Sequence, residues 1–571
     1  MSARVSVLMP VFEQASFMPR AIGSLLAQDA TSWELVVVDD GSSDDVAGAL
    51  PEDARVRLLR HPGNRGLGAA LNSALDHAQG DLIAYLPADD IWHAGHLSEL
   101  VRLLADPAVV LAHTARLPQG AELQLVQLGH RRSCERWLER SQLESDDLEQ
   151  LLLRRLRATG SVAASDAVTC TWTQHPDQRH RALRPSCDGG LNTFRRRYRV
   201  ANPLRIHADG RLLADEVARY RRFAGREPPP PGGLRVLLAG ELAHNPERVL
   251  ALEERGCELL GLWIEDPLGF MTVGPLPFGH VRDVELHDWR RARPDVIYAL
   301  LNWRAVGLAH RLLGSGVPLV FHFKEAPQRS IVRGDWSRLV AVLTGADAAI
   351  LSSPEERDWL LDALPGRLDP ARVYALDGDL PKREWLDAAP APRRLSEEDG
   401  AVHTLLLGRS YGFDDELRAG LARRAIRLHE PTGVTPDRWV GDLSRYDAAW
   451  LHPIRAANGG ELRAATWDDL NLPARIPTLV AAGLPLIVPA PPAGAVHAAA
   501  ALARELRCGV EYEDLDDLAA QLGDAAGMAA RRAAAWRARE TLTFDHHADR
   551  LVRILEQAAG AVRARARPEP R

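Results

Sequence analysis

Few features of the 571-residue sequence point to disulfides, membranes or nucleic acids. Its five cysteines are scattered, odd in number and without CxxC spacing, which argues against disulfides and a zinc site and fits a reducing cytoplasm. No uninterrupted apolar stretch approaches the roughly 20 residues of a membrane-spanning helix. The formal net charge is −7 and there is no long basic block, so nucleic-acid binding has no support. The first residues lead directly into a strand-like segment, so we expect no signal peptide.

The composition is that of an ordinary globular protein, with 46% apolar and 26% charged residues. A chain of this length should hold several domains. The four prolines and two glycines within 227–233 cannot pair in a sheet and mark a linker. We therefore predict a first domain over 1–226, two further lobes over 234–390 and 391–560, and a disordered tail over 561–571.

Two apolar runs near the start of the chain end at paired carboxylates. Val36-Val37-Val38 precedes Asp39-Asp40, and Tyr85-Leu86-Pro87-Ala88 precedes Asp89-Asp90. The alternation of strand-like and helical segments predicts a parallel α/β sheet, in which ligands bind at the carboxyl ends of the strands. Two acidic pairs at one edge of such a sheet predict a site for a cation and for a polyanion bound through it.

Four short segments carry a family resemblance when they are taken in order. They are Pro10-Val11-Phe12-Glu13, Val38-Asp39-Asp40-Gly41-Ser42, Asn64-Arg65-Gly66 and Pro87-Ala88-Asp89-Asp90-Ile91-Trp92. Together they resemble the inverting GT-A nucleotide-sugar glycosyltransferases of family 2, over roughly residues 4–115. The resemblance implies a Rossmann-like, mostly parallel GT-A fold. It also implies transfer of a sugar from a nucleotide diphosphate sugar to a hydroxyl group.

The resemblance implies roles for residues at the first two strand ends. Pro10 and Glu13 would lie against the donor nucleotide, and Glu13, Asp39 and Asp40 would contact base and ribose. Arg65 would add a charge-assisted contact. The competing interpretation of the Asp39-Asp40 segment is a solvated turn in which a carboxylate caps the backbone.

The resemblance implies a metal site at the second acidic pair, Asp89-Asp90. Asp89 would bind Mn²⁺ or Mg²⁺ on the diphosphate, with Asp90 beside it, although Pro87 stands where many family members have the first aspartate of the triplet. His175 resembles a family residue near the diphosphate and is a further candidate ligand. A packed or capping histidine is the alternative.

Inverting transfer also needs a general base for the acceptor hydroxyl. The segment Ser145-Asp146-Asp147-Leu148-Glu149 resembles the family's Glu-Asp motif, which opens a helix and supplies that base. We favour Asp147 as the base and Asp146 as the second choice. The alternative is an N-cap with acidic residues in the first helical turn.

The C-terminal half resembles the GT-B glycosyltransferases of the family 4 and family 1 type, over roughly 234–558. The resemblance rests on Gly408-Arg409 and on Ala481-Ala482-Gly483-Leu484-Pro485. It implies two Rossmann-like lobes with the nucleotide sugar in the cleft between them, and Arg409 facing the donor diphosphate. Thr478 stands where many retaining members have a glutamate on the donor ribose, and Asn471 and Arg475 are candidates to compensate. Close helix–sheet packing is the alternative for the Ala-Ala-Gly element.

One further cluster concentrates ionisable groups after a strand of the first C-terminal lobe. In His322-Phe323-Lys324-Glu325, either Glu325 or His322 is a candidate base, and Lys324 is a candidate for contact with an anion. A solvated loop with a local ion pair is the alternative.

These interpretations predict a tandem, bifunctional bacterial glycosyltransferase. Its acceptor would be a glycan or a lipid-linked or protein-linked saccharide, and it would be cytoplasmic, peripherally at the inner membrane face. The first alternative is one active module fused to a non-catalytic glycan- or nucleotide-binding half. A GT-A nucleotidyltransferase is disfavoured, because the segment after the first strand lacks a Gly- and Arg-rich loop. A pair of inactive enzyme folds that serve as an interaction protein is the third alternative.

Overall fold

The computed structural model describes residues 4–565 apart from 31, 224, 228–229, 231, 243–246, 265–278, 302, 392, 432–433 and 435–437. The described chain forms two compact units, one extending to Arg221 and the other beginning at Arg222. We call them the N-terminal unit and the C-terminal unit. The segment 227–233, predicted as a linker, lies partly outside the described residues.

The N-terminal unit is built on a mixed eight-stranded sheet. Its strands are β1 (Val5–Val11), β2 (Trp33–Asp39), β3 (Val56–Arg60), β4 (Leu82–Tyr85), β5 (Ile91–Trp92), β6 (Val109–Leu117), β7 (Leu128–Arg131) and β9 (Ser161–Thr171). They lie in the order β3-β2-β1-β4-β7-β6-β9-β5. The short strand β8 (Glu144–Ser145) belongs to a different sheet. The pairs β1–β2, β1–β4 and β2–β3 are parallel, which confirms the predicted parallel βαβαβ start. β7 runs antiparallel to β4 and β6.

Helices cover this sheet, and a small second sheet follows it. The helices are α1 (Met18–Leu26), α2 (Leu67–His77), α3 (His96–Leu103), α4 (Leu148–Arg157), α5 (Arg179–Leu183), α6 (Leu191–Tyr198) and α7 (Glu216–Arg219). β10 (Arg205–Ala208) pairs antiparallel with β11 (Arg211–Asp215) and parallel with β8.

Burial explains why these segments form these elements. β2 is apolar from Leu35 to Val38 and is buried along its whole length, as expected for an inner strand covered on both faces. In α1 the buried residues Met18, Ala21, Ile22 and Leu25 follow the i, i+3, i+4, i+7 spacing of a helix face on a core. The carboxyl ends of β1, β2 and β4 consequently lie at one edge of the sheet.

The C-terminal unit contains two parallel sheets. The first has seven strands, β12 (Arg235–Gly240), β13 (Glu258–Trp263), β14 (Arg282–Asp283), β15 (Val296–Leu301), β16 (Leu319–Phe323), β17 (Ala348–Leu351) and β18 (Val373–Ala375), in the order β14-β13-β12-β15-β16-β17-β18. Its helices are α8 (Glu247–Glu253), α9 (Ala305–Leu312), α10 (Pro327–Val332), α11 (Trp336–Gly345) and α12 (Pro354–Ala363).

The second sheet has five strands. They are β19 (Val402–Leu405), β20 (Ile426–His429), β21 (Ala448–Trp450), β22 (Leu486–Pro489) and β23 (Gly509–Tyr512), in the order β20-β19-β21-β22-β23. The helices that accompany it are α13 (Ser396–Asp399), α14 (Asp415–Arg423), α15 (Trp439–Leu443), α16 (Trp467–Leu470), α17 (Ile476–Ala481), α18 (Ala498–Glu505), α19 (Leu515–Gly523), α20 (Ala525–Ala538) and α21 (Phe544–Arg565). In both sheets the described strand pairs are parallel.

The last helix, α21, packs back onto the first of these two sheets and its helix α8. The sequence contains only two lysines, and both are buried in ion pairs of this unit. Lys382 Nζ lies 2.5 Å from Asp545 Oδ1 at the start of α21 and also contacts Glu254. Among the helices of the described chain, none combines the length and the apolar composition required to cross a bilayer.

Candidate functional site

A cavity of about 580 Å³ opens at the carboxyl-end edge of the N-terminal sheet. Pro10 and Glu13 line it from the end of β1, Asp40 from the end of β2, and Asp89 and Asp90 from the turn after β4. The sheet therefore brings the predicted strand-end residues to one cavity, as the carboxyl-end rule for parallel strands requires. Further lining residues come from the segments 122–125, 140–149 and 172–198.

Asp40 uses both carboxylate oxygens to hold the loop that opens α2. Its Oδ1 accepts hydrogen bonds from His61 Nδ1 at 2.6 Å and from the Arg65 N–H at 2.9 Å, and its Oδ2 accepts one from the Gly66 N–H at 2.7 Å. Burial raises the pKa of Asp40, although these donors oppose the shift. The Arg65 side chain itself is half exposed and lies 4.0 Å from Glu139.

Asp39 is buried behind Asp40 and is not part of the cavity wall. Its Oδ1 accepts a hydrogen bond from the Ser42 N–H at 2.8 Å. Its Oδ2 accepts no hydrogen bond in the described structure, with Arg60 Nε at 3.4 Å. Asp39 thus retains one buried oxygen with spare acceptor capacity at the strand end.

Glu13 lies at the rim in a left-handed backbone conformation, with φ of 54°. Its carboxylate accepts hydrogen bonds from Ser43 and Arg199, the latter at 2.8 Å. Burial raises its pKa, but hydrogen bonds from Ser43 and the Arg199 charge more than offset this, so the net pKa is lowered. Glu13 is therefore an anion tied to the residues after β2.

Asp89, Asp90 and His175 meet at the floor of the cavity. His175 Nε2 lies 2.9 Å from Asp89 Oδ2, and the ring stacks on Phe17 with centroids 4.9 Å apart. Asp90 accepts a hydrogen bond from the Thr173 N–H at 2.8 Å. Burial, and next the neighbouring Asp89 carboxylate, raise the pKa of Asp90 well above its ordinary value.

This donor set fits a divalent cation that is shared with a ligand. A carboxylate oxygen and an imidazole nitrogen suit Mn²⁺, and an added positive charge would relieve the repulsion between the two aspartates. Within the described part of the chain, no group of three or more His, Cys, Asp and Glu side chains is arranged to hold a metal alone. The remaining ligands would have to come from phosphate oxygens and water, as is usual for Mg²⁺ and similar ions at phosphate sites.

The two candidate bases differ in what their carboxylates contact. Asp146 Oδ2 lies 2.6 Å from Arg184 Nε and also accepts a hydrogen bond from the Asp209 N–H. The Asp147 carboxylate accepts no hydrogen bond within the described residues and lies in the cavity wall at the start of α4. Burial raises the pKa of Asp147, and the nearby Asp146 and Glu122 charges raise it further.

Arg140 is a wall residue that the sequence did not single out. Its guanidinium donates to Asn64 Oδ1 at 2.7 Å and to Glu144 Oε2 at 2.8 Å, and it lies 5.4 Å from the Phe194 ring centroid. Arg140 therefore ties the loop before α2 to the segment before α4 and to α6.

In the C-terminal unit, the cluster after β16 is internally paired. His322 is fully buried, with Nδ1 2.6 Å from the Tyr298 hydroxyl and Nε2 3.0 Å from the Leu376 carbonyl, so neither ring nitrogen is free for the role of a base. Lys324 Nζ lies 2.5 Å from Asp377 and also contacts Asp379, which leaves no unpaired ammonium for an anion.

Glu325 is partly buried and lies 2.8 Å from Arg329. Burial raises its pKa, and the charges of Arg329 and Arg409 oppose the shift. Arg409 follows β19 of the second C-terminal sheet, and Glu325 follows β16 of the first.

The charges of Arg409 and Arg475 act on His452 at the second sheet. Burial lowers the pKa of His452 to about 4, and the charges of Arg475 and Arg409 add to the shift. Arg475 Nε and one terminal nitrogen are buried without a hydrogen-bond partner in the described structure, as is His452 Nε2. Burial alone lowers the pKa of Arg475 to about 10. Asn471 lies beside His452, and Thr478 is buried in α17.

The comparisons with known proteins concern the N-terminal unit. Residues 6–156 match the sequence profile described as "Glycosyl transferase family 2". The N-terminal unit contains a glycosyl transferase family 2 domain. Its fold is GT-A-like, a mixed α/β arrangement with a parallel-rich sheet.

Curated relatives match the same domain. The Escherichia coli "UDP-Glc:alpha-D-GlcNAc-diphosphoundecaprenol beta-1,3-glucosyltransferase WfgD" is 37% identical over 102 residues, which is 18% of this chain and 40% of WfgD. An uncharacterized glycosyltransferase of Haemophilus influenzae is 33% identical over 113 residues, 19% of this chain and 45% of that protein. The family 2 domain of this chain thus spans less than half the length of these relatives.

Solved structures also match part of the chain. The mannosyltransferase PcManGT from Pyrobaculum calidifontis, in complex with GDP-Man and Mn²⁺, is 21% identical, with 32% of this chain and 61% of that chain covered and a TM-score of 0.28. Staphylococcus aureus TarS 1-349, in complex with UDP-GlcNAc, is 17% identical, with 30% and 59% covered and a TM-score of 0.27. Scores this far below 0.5 support no conclusion about function.

Proposed function

We propose that the N-terminal unit is a metal-dependent, inverting glycosyltransferase. It transfers a sugar from a nucleotide diphosphate sugar to a hydroxyl of a glycan, lipid-linked or protein-linked acceptor in bacterial polysaccharide assembly. The observation that carries the proposal is the cavity itself. It joins the Asp89–His175 pair to Asp147, a carboxylate with no hydrogen-bond partner among the described residues.

In this proposal Asp147 takes the proton of the acceptor hydroxyl as its oxygen attacks the anomeric carbon. The bond from that carbon to the diphosphate breaks, and the nucleoside diphosphate leaves. A base needs a pKa closer to the working pH than that of a free aspartate, and burial with Asp146 and Glu122 nearby shifts Asp147 in this direction. Arg184 holds Asp146 in place, so Asp146 acts by positioning and by its charge.

Asp89 and His175, with Asp90 behind them, are the residues that would hold Mn²⁺ or Mg²⁺. The ion would neutralise charge that develops on the leaving diphosphate. Pro10, Glu13 and the loop held by Asp40 would form the nucleoside end of the cavity. Asp39 lies behind Asp40 and outside the cavity wall, so in this proposal it holds the turn at Ser42 rather than the nucleoside itself.

The test uses the full chain and a panel of UDP-, GDP- and dTDP-sugars, with release of nucleoside diphosphate measured with and without Mn²⁺. Asp147→Asn should reduce release with acceptor by at least about 100-fold, with donor affinity retained. Asp89→Asn should abolish the response to Mn²⁺. Asp166→Asn, an exposed aspartate of β9, is the matched control. Unchanged turnover in Asp147→Asn would contradict the assignment of the base.

A second candidate function, a nucleotide-sugar site in the C-terminal unit, is favoured by Arg475. Two of its nitrogens and one of His452 are buried without partners in the described residues, which is costly unless an anion completes the site. Diphosphate oxygens are suited to a guanidinium, and Arg409 supplies a second positive charge that acts on the same His452. Asn471 and Thr478 are candidates for the sugar end of this site, and Glu325 is the candidate base.

Calorimetric titration of the full chain with UDP and GDP tests this second site. We expect two binding events in the wild-type chain and one in Arg475→Gln, with Arg357→Gln, a surface arginine, as the matched control. A second site that binds but supports no transfer would make the C-terminal unit a binding half. An unchanged stoichiometry in Arg475→Gln would contradict the site.

A further inference from the structure

The end of α10 presents two aliphatic side chains to solvent. Val332 is 88% exposed, more than any other large apolar side chain in the described chain, and its neighbour Ile331 is 51% exposed. Arg333 and Gly334, which follow them, are exposed as well. We call residues 331–334 the α10 tip.

Two observations show how α10 is held against the rest of the C-terminal unit. Gln328 donates a hydrogen bond to the Ala465 carbonyl at 2.8 Å, and Ser330 is fully buried. The helix ends at Val332, and Gly334, with φ of 76°, follows two residues later. The helix is therefore held through its earlier residues, while Ile331 and Val332 at its end remain exposed.

Basic and aromatic groups surround the tip. The Arg333 guanidinium lies 3.3 Å from the Trp303 ring centroid, and the Arg304 guanidinium lies 5.2 Å from the same ring. Arg333 makes no ion pair with a described carboxylate, whereas Arg329 pairs with Glu325. The tip therefore combines exposed aliphatic side chains, an indole and an uncompensated positive charge, although the whole chain has a net charge of −7.

We propose that the α10 tip docks the C-terminal unit onto a bilayer that contains anionic phospholipid. Ile331 and Val332 would enter the boundary between headgroups and acyl chains, and Trp303 and Arg333 would lie at headgroup depth. A protein partner is less suited to this surface, because two aliphatic side chains supply far less than the roughly 1,200 Å² that stable protein interfaces bury. Arg329 links the same helix to Glu325, so docking would bring Glu325 toward the membrane surface.

Sedimentation of the full chain with vesicles tests the proposal without any sugar substrate, so its outcome is independent of the transfer activity. Vesicles of phosphatidylcholine with and without phosphatidylglycerol are compared. We expect binding to the anionic vesicles that falls as salt increases, and a loss of at least tenfold in partitioning for Val332→Asp. Arg333→Gln should weaken binding and flatten its salt dependence.

Leu286→Asp is the matched control, because Leu286 is a 40% exposed apolar residue of the same unit away from α10. Val332 contributes little to the core, so its substitution should leave the thermal unfolding profile unchanged. Equal binding to vesicles with and without phosphatidylglycerol would overturn the proposal. An equal loss of vesicle binding in Leu286→Asp and Val332→Asp would also overturn it. So would a dimer in light scattering that Val332→Asp dissociates, because the tip would then join two copies of the chain.

Discussion

Replacing Arg475 with methionine should stabilise the C-terminal unit while it removes the response of that unit to anions. The side chain carries a charge whose Nε and one terminal nitrogen are buried and have no hydrogen-bond partner within the described structure. A buried unpaired charge is costly, and an apolar side chain of similar length avoids that cost. Methionine keeps the stem of the side chain and adapts to irregular packing.

The magnitude follows from the pKa of Arg475, which burial lowers from 12.5 to about 10. At about 1.4 kcal/mol per pKa unit, this shift sets an upper limit of roughly 3.5 kcal/mol on the cost of the charged form. Relaxation and water reduce the cost, so we expect a gain in unfolding free energy on the order of 1 to 2 kcal/mol. Arginine is charged at neutral pH whether its pKa is 10 or 12.5, so this gain should not depend on pH between 6 and 8.

Differential scanning calorimetry of the full chain, with and without pyrophosphate, measures both effects. The N-terminal and C-terminal units can unfold in separate transitions. The transition to follow is the one whose temperature changes when residues of the C-terminal unit are substituted. Pyrophosphate at about 100 times its dissociation constant should stabilise the wild-type transition by about 2.7 kcal/mol and leave Arg475→Met unchanged. Arg357→Met is the control. A lower transition temperature in Arg475→Met, or an equal shift by pyrophosphate in both proteins, would refute the reasoning.

Three further substitutions test individual contacts by denaturation midpoints. Burial raises the pKa of Glu356 to about 8, so its ionisation costs stability as pH rises from 4.5 to 8. Glu356→Gln should therefore raise the free energy of unfolding by about 2 to 4 kcal/mol at pH 8 but little at pH 5. Equal effects at both pH values would contradict this prediction. Asp40→Asn replaces a carboxylate that accepts three hydrogen bonds and should cost about 1 to 3 kcal/mol. Gly68→Ala places a Cβ 1.9 Å from the Leu138 carbonyl oxygen and should cost at least about 2 kcal/mol, whereas Gly23→Ala, which meets nothing within 4 Å, should not.

The strands and helices in the first half of the N-terminal unit could be predicted, because the residues of each segment indicate that segment's own structure. β1 and β2 are apolar runs that end at polar residues, and such runs form inner parallel strands whose ends share one edge. The location of Asp147 at the start of α4 could be predicted for the same reason, since a helix start has its own sequence pattern.

Other parts of the site depend on contacts between distant residues and carry no local signal. Arg140 and Asn64 are 76 positions apart, and nothing near either residue indicates their hydrogen bond. Local sequence also could not show that both carboxylate oxygens of Asp40 would accept hydrogen bonds from the loop before α2. Nor could it show that Asp39 would be buried behind Asp40. The resemblance indicates Arg475 by its position alone, whereas the burial of two of its nitrogens without a partner is a property of the folded unit.

The burial of both lysines has a practical consequence for chemical labelling. Lys324 and Lys382 are the only side-chain amines of the chain, and they are 8% and 4% exposed in their ion pairs. An amine-reactive reagent should therefore leave both lysines of the native C-terminal unit unmodified. Because Lys382 bridges Glu254 and the start of α21, its acylation would report when the last helix detaches, and Lys324 would report when the sheet that carries it opens. The two lysines thus act as built-in reporters of partial unfolding at two separate places in one unit.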